Sequence, residues 1–376
     1  MSRWRVLVHA LDRTGPPMLA RSLVRWLGAQ RPDDQVEVVA FRGGAMLDDL
    51  VRLVPTHVVL DPHEPWDHGH PEPARLDVLR QRLAGVAPAD ATLLVSVAAA
   101  QLLPFLDHGG PVVTWVVERG EDLHWLEGPL GLTERTARWL VGARGTGVEL
   151  AERLGPDTEV HLVPEFVEVG TVDPGLRRRC RRSLGVGRDE LLVVGAGIAT
   201  PRKAPDLFVE VALAARRLGR VPTRFVWIGG EQDEFFWTVR REAERLGPDT
   251  VRFLGDVPDV DPWLAAADVV VHPARLDAFP LVCLHAARLG TPVVAFAGAG
   301  GLEEMFGRSF VGRPYPDVAG LATDVVDLAE PAHRQAVAAA QAAATLPFSV
   351  ERAAPAVARH LDEVAGVGAA SGGTGR

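Results

Sequence analysis

The chain has little of several features that would point to particular functions. Its 376 residues include two cysteines, Cys180 and Cys283, which lie far apart in different contexts, so neither a disulfide framework nor a metal cluster is indicated. The longest apolar runs are strand-sized, shorter than the roughly 20 residues of a membrane-spanning helix, and the N-terminal run is too short for a signal peptide. We expect a cytoplasmic protein with no transmembrane segment.

Lysine is also nearly absent. Lysine and arginine together number 40, yet Lys203 is the single lysine. A biased codon supply would choose arginine wherever either cation serves, so a retained lysine marks a position that needs a compact ammonium group. The alternative is chance retention on a surface loop.

The overall charge argues against nucleic-acid binding. The net charge is -9 and the pI is near 5.8, whereas nucleic-acid binders carry a basic face. The one dense basic run, Arg177 to Arg182, is expected on a solvated helix near a domain junction. No aspartate-rich or histidine-rich stretch has metal-site spacing, so no metal is predicted.

Strand and helix patterns alternate along the chain. In the second half, the buried-strand run Leu191 to Gly197 is followed by a helix pattern that begins at Pro205 and ends before Gly219. The first half shows the same alternation less clearly. Such alternation predicts an α/β fold with parallel, doubly wound sheets, which bind ligands at the carboxyl ends of their strands.

Length and pattern together predict two Rossmann-like domains, because 376 residues exceed what one core usually supports. The predicted parts are an N-terminal domain 1–168, a linker 169–187, a C-terminal domain 188–350, a C-terminal helix 351–365 and a tail 366–376. The tail is expected to be disordered because glycine and serine bury little surface.

Loops of the second half suit an anionic, sugar-bearing ligand. Arg202 and Lys203 precede a helix start, and two cations beside the positive end of a helix dipole make a diphosphate site; the alternative is a solvated charge pair. Asp277 follows a strand, where its carboxylate can hold sugar hydroxyls. His285 lies a little over two helical turns further on and faces the same cleft, unless it is a core histidine.

Backbone groups complete this predicted site. Pro280 suits the first turn of a helix, and the N–H groups of Phe279, Leu281 and Val282 can donate to phosphate or sugar oxygens. The glycine-rich loop Ala297 to Glu304 allows close approach of a ligand, although such loops are common in sheets of this kind.

Five motifs in order carry a family resemblance. They are GIATPRKAPDLFVEVA, WIGGEQDEFF, VRFLGDVPD, HPARLDAFPLVCLHAARLGTPVVAF and AGAGGLEEMF. Together they resemble the donor domain of glycosyltransferase family 4, in particular a bacterial branch with RKG-DLF and DPFPLV-LEA motifs, from about Leu184 to Ala329. In the first half, HALDRTGPPMLARSLVRWL and WLVGARGTGVELAERLG are similar to the same branch.

The resemblance implies a GT-B fold, with two Rossmann-like domains facing a cleft, and a retaining glycosyltransferase. The donor would be a nucleotide-diphosphate sugar, the acceptor an unidentified polysaccharide, lipid or secondary metabolite, and no metal or other cofactor would be needed. A homo-oligomer is compatible with this interpretation. The alternatives are a non-catalytic relative that binds a nucleotide sugar or supports an active partner, and a sugar-nucleotide epimerase or phosphorylase.

The resemblance also assigns residues. Arg202 and Lys203 hold the donor diphosphate and Asp277 contacts the transferred sugar, which makes these three the catalytic set. The implied donor-binding residues are Gly15, Arg252, Phe253, Leu254, Ala278, Phe279, Pro280, Leu281, Val282, His285 and Glu304. On the acceptor side, a contact that relatives make with a histidine is either missing or supplied by Glu118 or His124.

Four positions depart from the family pattern. Val117 stands where that acceptor-side histidine is usual, and His285 replaces an acid that binds ribose. Gly197 stands where many relatives have arginine, and Ala204 replaces the glycine after the basic pair.

The segment 61–73, with His63, is expected to be an exposed loop or, alternatively, a mobile acceptor-side loop.

Overall fold

The structure is a computed structural model, and it describes residues 1–66, 73–106, 110–127, 130–230, 233–247 and 250–366. Two expectations therefore lie largely outside the described residues: the tail after Gly366, and positions 67–72 of the histidine-containing segment. None of the helices in the described ranges has the length and apolar character needed to cross a membrane.

The strands are short, and those at the centre of each sheet are buried on both faces. They are β1 (Arg3–Ala10), β2 (Gln35–Arg42), β3 (Thr56–Leu60), β4 (Ala91–Val95), β5 (Val112–Val116), β6 (Thr136–Val141), β7 (Val160–Leu162), β8 (Leu191–Ala196), β9 (Thr223–Ile228), β10 (Arg252–Phe253), β11 (Val269–His272), β12 (Val293–Ala297) and β13 (Val311–Pro314). The buried strands are rich in valine and leucine, as expected for parallel sheets covered on both faces.

Helices follow most strands. They are α1 (Gly15–Gln30), α2 (Leu47–Val51), α3 (Pro73–Arg82), α4 (Leu132–Arg135), α5 (Arg144–Leu154), α6 (Pro174–Ser183), α7 (Pro205–Leu218), α8 (Glu234–Leu246), α9 (Asp261–Ala266), α10 (Leu281–Arg288), α11 (Leu302–Phe306), α12 (Val318–Asp327), α13 (Pro331–Ala344) and α14 (Val350–Val364). The first half of the chain also contains the 3₁₀ helices Val97–Phe105 and Gly120–Glu127.

The chain folds into two compact units, each built on one sheet. Unit 1 comprises Met1–Val167 with Phe348–Arg376, and unit 2 comprises Glu168–Pro347. The strand order is β3-β2-β1-β4-β5-β6-β7 in unit 1 and β10-β9-β8-β11-β12-β13 in unit 2, and every strand pairing is parallel. The prediction of two doubly wound α/β domains is confirmed.

The strand order creates one topological switch point in each sheet. The order reverses between β1 and β4 in unit 1 and between β8 and β11 in unit 2. At such a point the loops leaving the two central strands diverge to opposite faces and open a crevice at the carboxyl ends of the strands. The loops after β8 and β11 contain Arg202, Lys203 and Asp277, the predicted catalytic set.

Helix α14 belongs to unit 1, although it is the last helix in the chain. Its buried side chains recur at helical spacing, from Val350 through Val357 to Leu361, and it packs against α1 and strands β4 to β6. Arg31 at the end of α1 donates to both carboxylate oxygens of Asp362, at 2.8 and 2.9 Å. The sequence pattern predicted this helix but assigned it to neither domain.

The segment predicted as a linker contains a helix. Asp173 caps α6 by accepting a hydrogen bond from the Gly175 N–H, and the proline at the first helical position is preorganised for a helix. Arg181 on α6 donates to Asp268 at 2.7 Å. Residues 174–183 therefore form a packed part of unit 2, whose core includes Phe208, Phe225 and Trp227.

Candidate functional site

The switch point of unit 2 brings the predicted catalytic residues together. Arg202 and Lys203 lie on the loop after β8, and Asp277 lies on the loop after β11, 74 positions further along the chain. The Lys203 ammonium group donates a hydrogen bond to Asp277 Oδ2, and Arg202 Nη1 lies 3.7 Å from Asp277 Oδ1. Two cations and one carboxylate therefore meet at the carboxyl ends of the central strands.

Asp277 is a buried carboxylate that is held in its charged form. Its side chain is only 8% exposed, and burial alone would raise the pKa of Asp277. Lys203, His272 and Arg202 outweigh that effect and hold the pKa well below its ordinary value. Asp277 thus remains an anion that can accept hydrogen bonds at any physiological pH.

His272, the last residue of β11, was not singled out from the sequence. Its Nε2 lies 3.1 Å from Asp277 Oδ2, and burial lowers the pKa of this imidazole despite the neighbouring carboxylate. A histidine inside an apolar strand pattern resembles any buried core residue. The loop that folds Asp277 back toward the strand end is what makes it part of the site.

Arg275 joins the loops after β8 and β11 and was also missed. It donates to both oxygens of Asp206 on α7, with Nη1 at 2.9 Å and Nη2 at 2.5 Å, and to the Pro201 carbonyl at 2.7 Å. Its own N–H donates to the Arg202 carbonyl at 2.9 Å. Arg275 therefore fixes the backbone that carries the two cations relative to the loop that carries Asp277.

The glycine-rich loop after β12 is attached to the same assembly. The Asp277 N–H donates to the Ala299 carbonyl at 2.6 Å, and the Gly301 N–H donates to the Ala278 carbonyl at 3.1 Å. A Cβ atom on Gly300 would lie 1.6 Å from the Asp277 carbonyl oxygen, so only glycine fits there. Glu304, predicted to bind the donor, is exposed on α11.

Two departures from the family pattern have local structural consequences. Ala204 has a φ of 58°, in the left-handed region that favours glycine, which costs an alanine roughly 1 kcal/mol. Gly197 has a φ of 148°, and a Cβ there would lie 3.5 Å from the Lys203 side chain. That distance is an ordinary van der Waals contact, so an arginine at position 197 would be disfavoured by backbone strain.

Helix α10 begins beside Asp277. Ala278, Phe279, Pro280 and Leu281 are buried, and Val282 is partly exposed. In the part of the chain that the structure describes, the N–H groups of Leu281 and Val282 have no hydrogen-bond partner, as is usual in the first turn of a helix. These two groups are available to an anionic ligand.

His285 is buried on α10, where its Nδ1 lies 2.9 Å from Asp261 Oδ1 at the start of α9. The geometry thus gives His285 a carboxylate neighbour, which the sequence did not predict. A glutamate at position 285 would bring a second carboxylate against Asp261. Contact between His285 and a ribose stays a prediction.

The remaining donor-side predictions lie at the carboxyl end of β9 and β10. Arg252 is exposed and donates to the Ser183 carbonyl at 3.2 Å, whereas the Phe253 ring packs edge-on against Phe236 at 5.8 Å. The Leu254 N–H donates to the Trp227 carbonyl at 2.9 Å. These residues share the carboxyl edge of the sheet with the loops that carry Lys203 and Asp277.

Unit 1 has a second cluster at its own switch point. Gly15 begins α1 after β1, Ser96 follows β4, and Glu118 follows β5. Ser96 has a φ of 83°, which is unusual for a residue with a side chain, and its hydroxyl accepts the Ala98 N–H at 3.2 Å. Strain of this kind is often retained where a loop serves a function.

Among the described residues, the groups that donate hydrogen bonds to Glu118 are neutral, unlike the cations beside Asp277. Its Oε2 accepts the N–H groups of Val97 at 3.1 Å and Val117 at 3.0 Å. Burial raises the pKa of Glu118 to about 7, although these N–H groups and the Ser96 hydroxyl oppose the shift. The group therefore exchanges its proton near neutral pH.

His124 is the other residue predicted on the acceptor side, and it follows Glu118 in the sequence. His124 is exposed on the 3₁₀ helix Gly120–Glu127, with Nδ1 2.9 Å from the Glu121 carbonyl oxygen and its ring 4.7 Å from that of Trp125. Across the described ranges, no three histidine, cysteine or acidic side chains are grouped as ligands for a metal ion.

Sequence comparison identifies relatives of parts of the chain. Residues 188–331 match the family profile described as "Glycosyl transferases group 1". The chain is 38% identical over 155 residues to a D-inositol 3-phosphate glycosyltransferase of Kribbella flavida, covering 38% of this chain and 36% of that protein. It is 34% identical over 202 residues to D-inositol 3-phosphate glycosyltransferase 2 of Catenulispora acidiphila, covering 50% and 47%.

The chain thus spans less than half the length of these curated relatives. Solved structures match over a greater length. Anabaena Alr3699/HepE, crystallised with UDP and glucose, has a TM-score of 0.77 at 18% identity and covers 96% of this chain and 100% of its own. WaaG, a glycosyltransferase involved in lipopolysaccharide biosynthesis, has a TM-score of 0.70 at 17% identity, covering 96% and 99%. The fold is GT-B, as predicted.

Proposed function

We propose that this chain is a glycosyltransferase of family 4 that transfers a sugar from a nucleotide-diphosphate donor with retention of anomeric configuration. The observation that carries the proposal is the meeting of Lys203, Arg202 and Asp277 at the switch point of unit 2. This cluster lies inside the segment that matches group 1 glycosyl transferases. Crevices at switch points are where open α/β sheets bind ligands.

The two cations would stabilise the leaving group. As the bond between sugar and diphosphate breaks, negative charge grows on the diphosphate, and preorganised cations lower the energy of that transition state. Lys203 and Arg202 supply those charges, and the Leu281 and Val282 N–H groups add dipoles. Lys203 also pairs with Asp277, so the diphosphate would share the ammonium group with this carboxylate.

Asp277 would orient the transferred sugar. Because Lys203 and its neighbours keep the carboxylate ionised, its oxygens can accept hydrogen bonds from sugar hydroxyls throughout the physiological pH range. In the proposed front-face reaction the acceptor hydroxyl attacks from the side of the departing diphosphate, whose oxygen takes the acceptor proton. The chain would need no metal ion or other cofactor, and we place it in the cytoplasm.

The relatives suggest which substrates to test first. HepE has been crystallised in complex with UDP-glucose, and the curated relatives are named as inositol 3-phosphate glycosyltransferases. UDP-glucose is therefore the first donor to test and an inositol phosphate the first acceptor. Glu118 would lie on the acceptor side, where it could hold an acceptor hydroxyl.

A non-catalytic, nucleotide-sugar-binding protein is the second candidate. Val117 replaces the acceptor-side histidine of the family pattern, and His285 is paired with Asp261 where the pattern has a ribose-binding acid. Such a protein would bind a donor without turning it over. An epimerase would instead isomerise the donor in the absence of any acceptor.

Calorimetric titration with UDP-, GDP-, ADP- and dTDP-sugars separates these candidates. We expect one nucleotide to bind to the wild-type chain and Lys203→Ala to bind it at least about tenfold more weakly, because one charge-assisted contact is lost. Arg217→Ala, an exposed change on α7, the helix that follows Lys203, is the matched control. Binding without hydrolysis or transfer would favour the non-catalytic candidate, and absence of binding would overturn the donor site.

A further inference from the structure

A pocket of about 240 Å³ lies at the opposite edge of the unit 2 sheet from the donor-side residues. Ala267 and Asp268 line it just before β11 begins, and Pro292 lines it just before β12. Asp277 and the glycine-rich loop follow the carboxyl ends of the same strands. Strands of four and five residues separate the two edges by roughly 13–16 Å, so the pocket is a different site.

Arginines dominate the polar lining of this pocket. Arg177 of α6 and Arg334 of α13 both line it, and Arg181 lies close enough to share Asp268 with Arg334. Arg181 Nη1 donates to Asp268 Oδ2 at 2.7 Å, and Arg334 Nη2 lies 3.9 Å from Asp268 Oδ1. Arg181 and Arg334 thus share a single carboxylate, and Arg177 lines the same pocket.

Arg177 is the cation that this carboxylate does not neutralise. Within the described ranges it makes no hydrogen bond or ion pair, whereas Arg334 also donates to the Leu328 carbonyl at 2.9 Å. The Arg177 side chain is exposed where it lines the pocket; desolvation there lowers the pKa of Arg177, and Arg181 and Arg334 lower it further, against the opposing effect of Asp268. An anion in the pocket would relieve this repulsion.

We propose that this pocket binds the phosphate group of a phosphomonoester. A phosphate dianion matches the excess of positive charge, and guanidinium forks match the geometry of its oxygens. The Gln335 side chain also lines the pocket and can donate an additional hydrogen bond. The apolar surfaces of Pro292, Pro331 and Ala338 leave room for a small organic substituent beyond the phosphate.

The site is independent of the proposed transfer reaction. Its residues come from α6, the starts of β11 and β12, and α13, none of which carries a predicted donor contact. The sequence alone predicts that the basic run of α6, Arg177 to Arg182, lies on a solvated helix. Tertiary packing, which sets α6 against α9, brings Arg177 and Arg334 to the same pocket.

Titration calorimetry with inorganic phosphate at constant ionic strength tests the proposal. We expect Arg177→Gln to weaken phosphate binding at least about tenfold, as when one charge-assisted hydrogen bond is lost. Arg178→Gln, an exposed neighbour on the same helix that does not line the pocket, should bind phosphate like the wild type. Lys203→Gln should keep the Arg177-dependent phosphate binding, because the pocket is separate from the proposed donor site, which can bind phosphate by itself.

Two further measurements sharpen the test. Gln335→Glu, at an exposed position of α13, adds a negative charge to the pocket and should weaken phosphate binding even if Arg177→Gln folds poorly. Co-sedimentation with phosphatidylcholine vesicles with and without phosphatidic acid distinguishes the sources of the phosphate. Binding to the acidic vesicles that requires Arg177 but not Arg178 indicates a lipid headgroup, and phosphate binding without vesicle binding indicates a soluble phosphomonoester.

Three results would overturn the proposal. The wild type shows no heat of phosphate binding; Arg177→Gln binds phosphate as the wild type does; or Lys203→Gln abolishes binding, which would place the phosphate in the donor site. Equal loss of vesicle binding in Arg177→Gln and Arg178→Gln would likewise replace a specific pocket with general surface charge.

Discussion

Asp277 and Glu118 occupy comparable places in the two sheets, yet their pKa values shift in opposite directions. Each carboxylate follows a parallel strand at the carboxyl edge of its sheet. The pKa of Asp277 falls because Lys203, His272 and Arg202 outweigh its burial. The pKa of Glu118 rises to about 7 because only neutral N–H and O–H donors oppose its burial.

The comparison shows that a shared fold does not set the chemistry of a site. In unit 2, a carboxylate and two cations are brought together and their loops are tied by Arg275. In unit 1, a carboxylate sits on backbone N–H groups with no cation to keep it ionised. The first arrangement suits binding of an anionic donor, and the second suits a group that changes its protonation state near neutral pH.

The largest expected effect is on turnover in unit 2. Lys203→Ala should lower kcat roughly 100-fold to 1,000-fold, because it removes a cation from the developing charge on the leaving group. The measurement is nucleotide release with the donor that binds in calorimetry. Lys203→Arg should keep part of the activity, since it retains the charge but not the compact ammonium.

The control for this change is Arg217→Ala, which should turn over at the wild-type rate. Wild-type turnover in Lys203→Ala would contradict the assignment of Lys203 to the leaving group. The site of unit 2 would then no longer differ from that of unit 1 in using a cation for catalysis.

A second expected effect is on the stability of unit 2. Lys203→Met leaves Asp277 buried with less compensation, and Asp277→Asn leaves Lys203 without its partner, so each should reduce the free energy of unfolding by about 1–3 kcal/mol. The double variant should lose less than the sum, with a coupling energy of about 1–3 kcal/mol. Urea unfolding of the wild type, the two single variants and the double variant measures the free energies of this double-mutant cycle.

Additive losses in the two single variants would show that Lys203 and Asp277 do not interact energetically. The carboxylate of Asp277 would then need another explanation for its ionised state, and the contrast with Glu118 would be weaker.

The smallest expected effect is a pH dependence in unit 1. Folding raises the pKa of Glu118 from 4.5 to about 7, so the folded chain holds a proton that the unfolded chain releases. The stability from this group is therefore complete at low pH and is lost as pH rises toward 7. Partial exposure limits that loss to about 1–2 kcal/mol.

Glu118→Gln cannot ionise and should not show this loss. Its free energy of unfolding should exceed that of the wild type at about pH 8 but not at about pH 5. Glu121→Gln, an exposed change nearby, should leave the pH profile unchanged. An identical pH profile in Glu118→Gln would mean that Glu118 does not carry the proton.

Much of the fold and part of the site could be predicted from the sequence. Alternating apolar strands and amphipathic helices are local patterns, so they predicted both doubly wound sheets. Parallel order then placed Lys203 and Asp277 at the same edge of one sheet. The single lysine and the order of the five motifs predicted Lys203 and Asp277 as site residues, although neither pattern shows that the two side chains are in contact.

The tertiary structure decided what depends on contacts between distant positions. Arg275 meets Asp206 across 69 positions, and Arg31 meets Asp362 across 331, which assigns α14 to unit 1. No local periodicity encodes such pairs. The pKa values of Asp277 and Glu118 shift in opposite directions because different charges pack around each carboxylate. The charge of Arg177, which is unpaired among the described residues, lies beside Arg334 for the same reason: electrostatic effects depend on distance in space rather than along the chain.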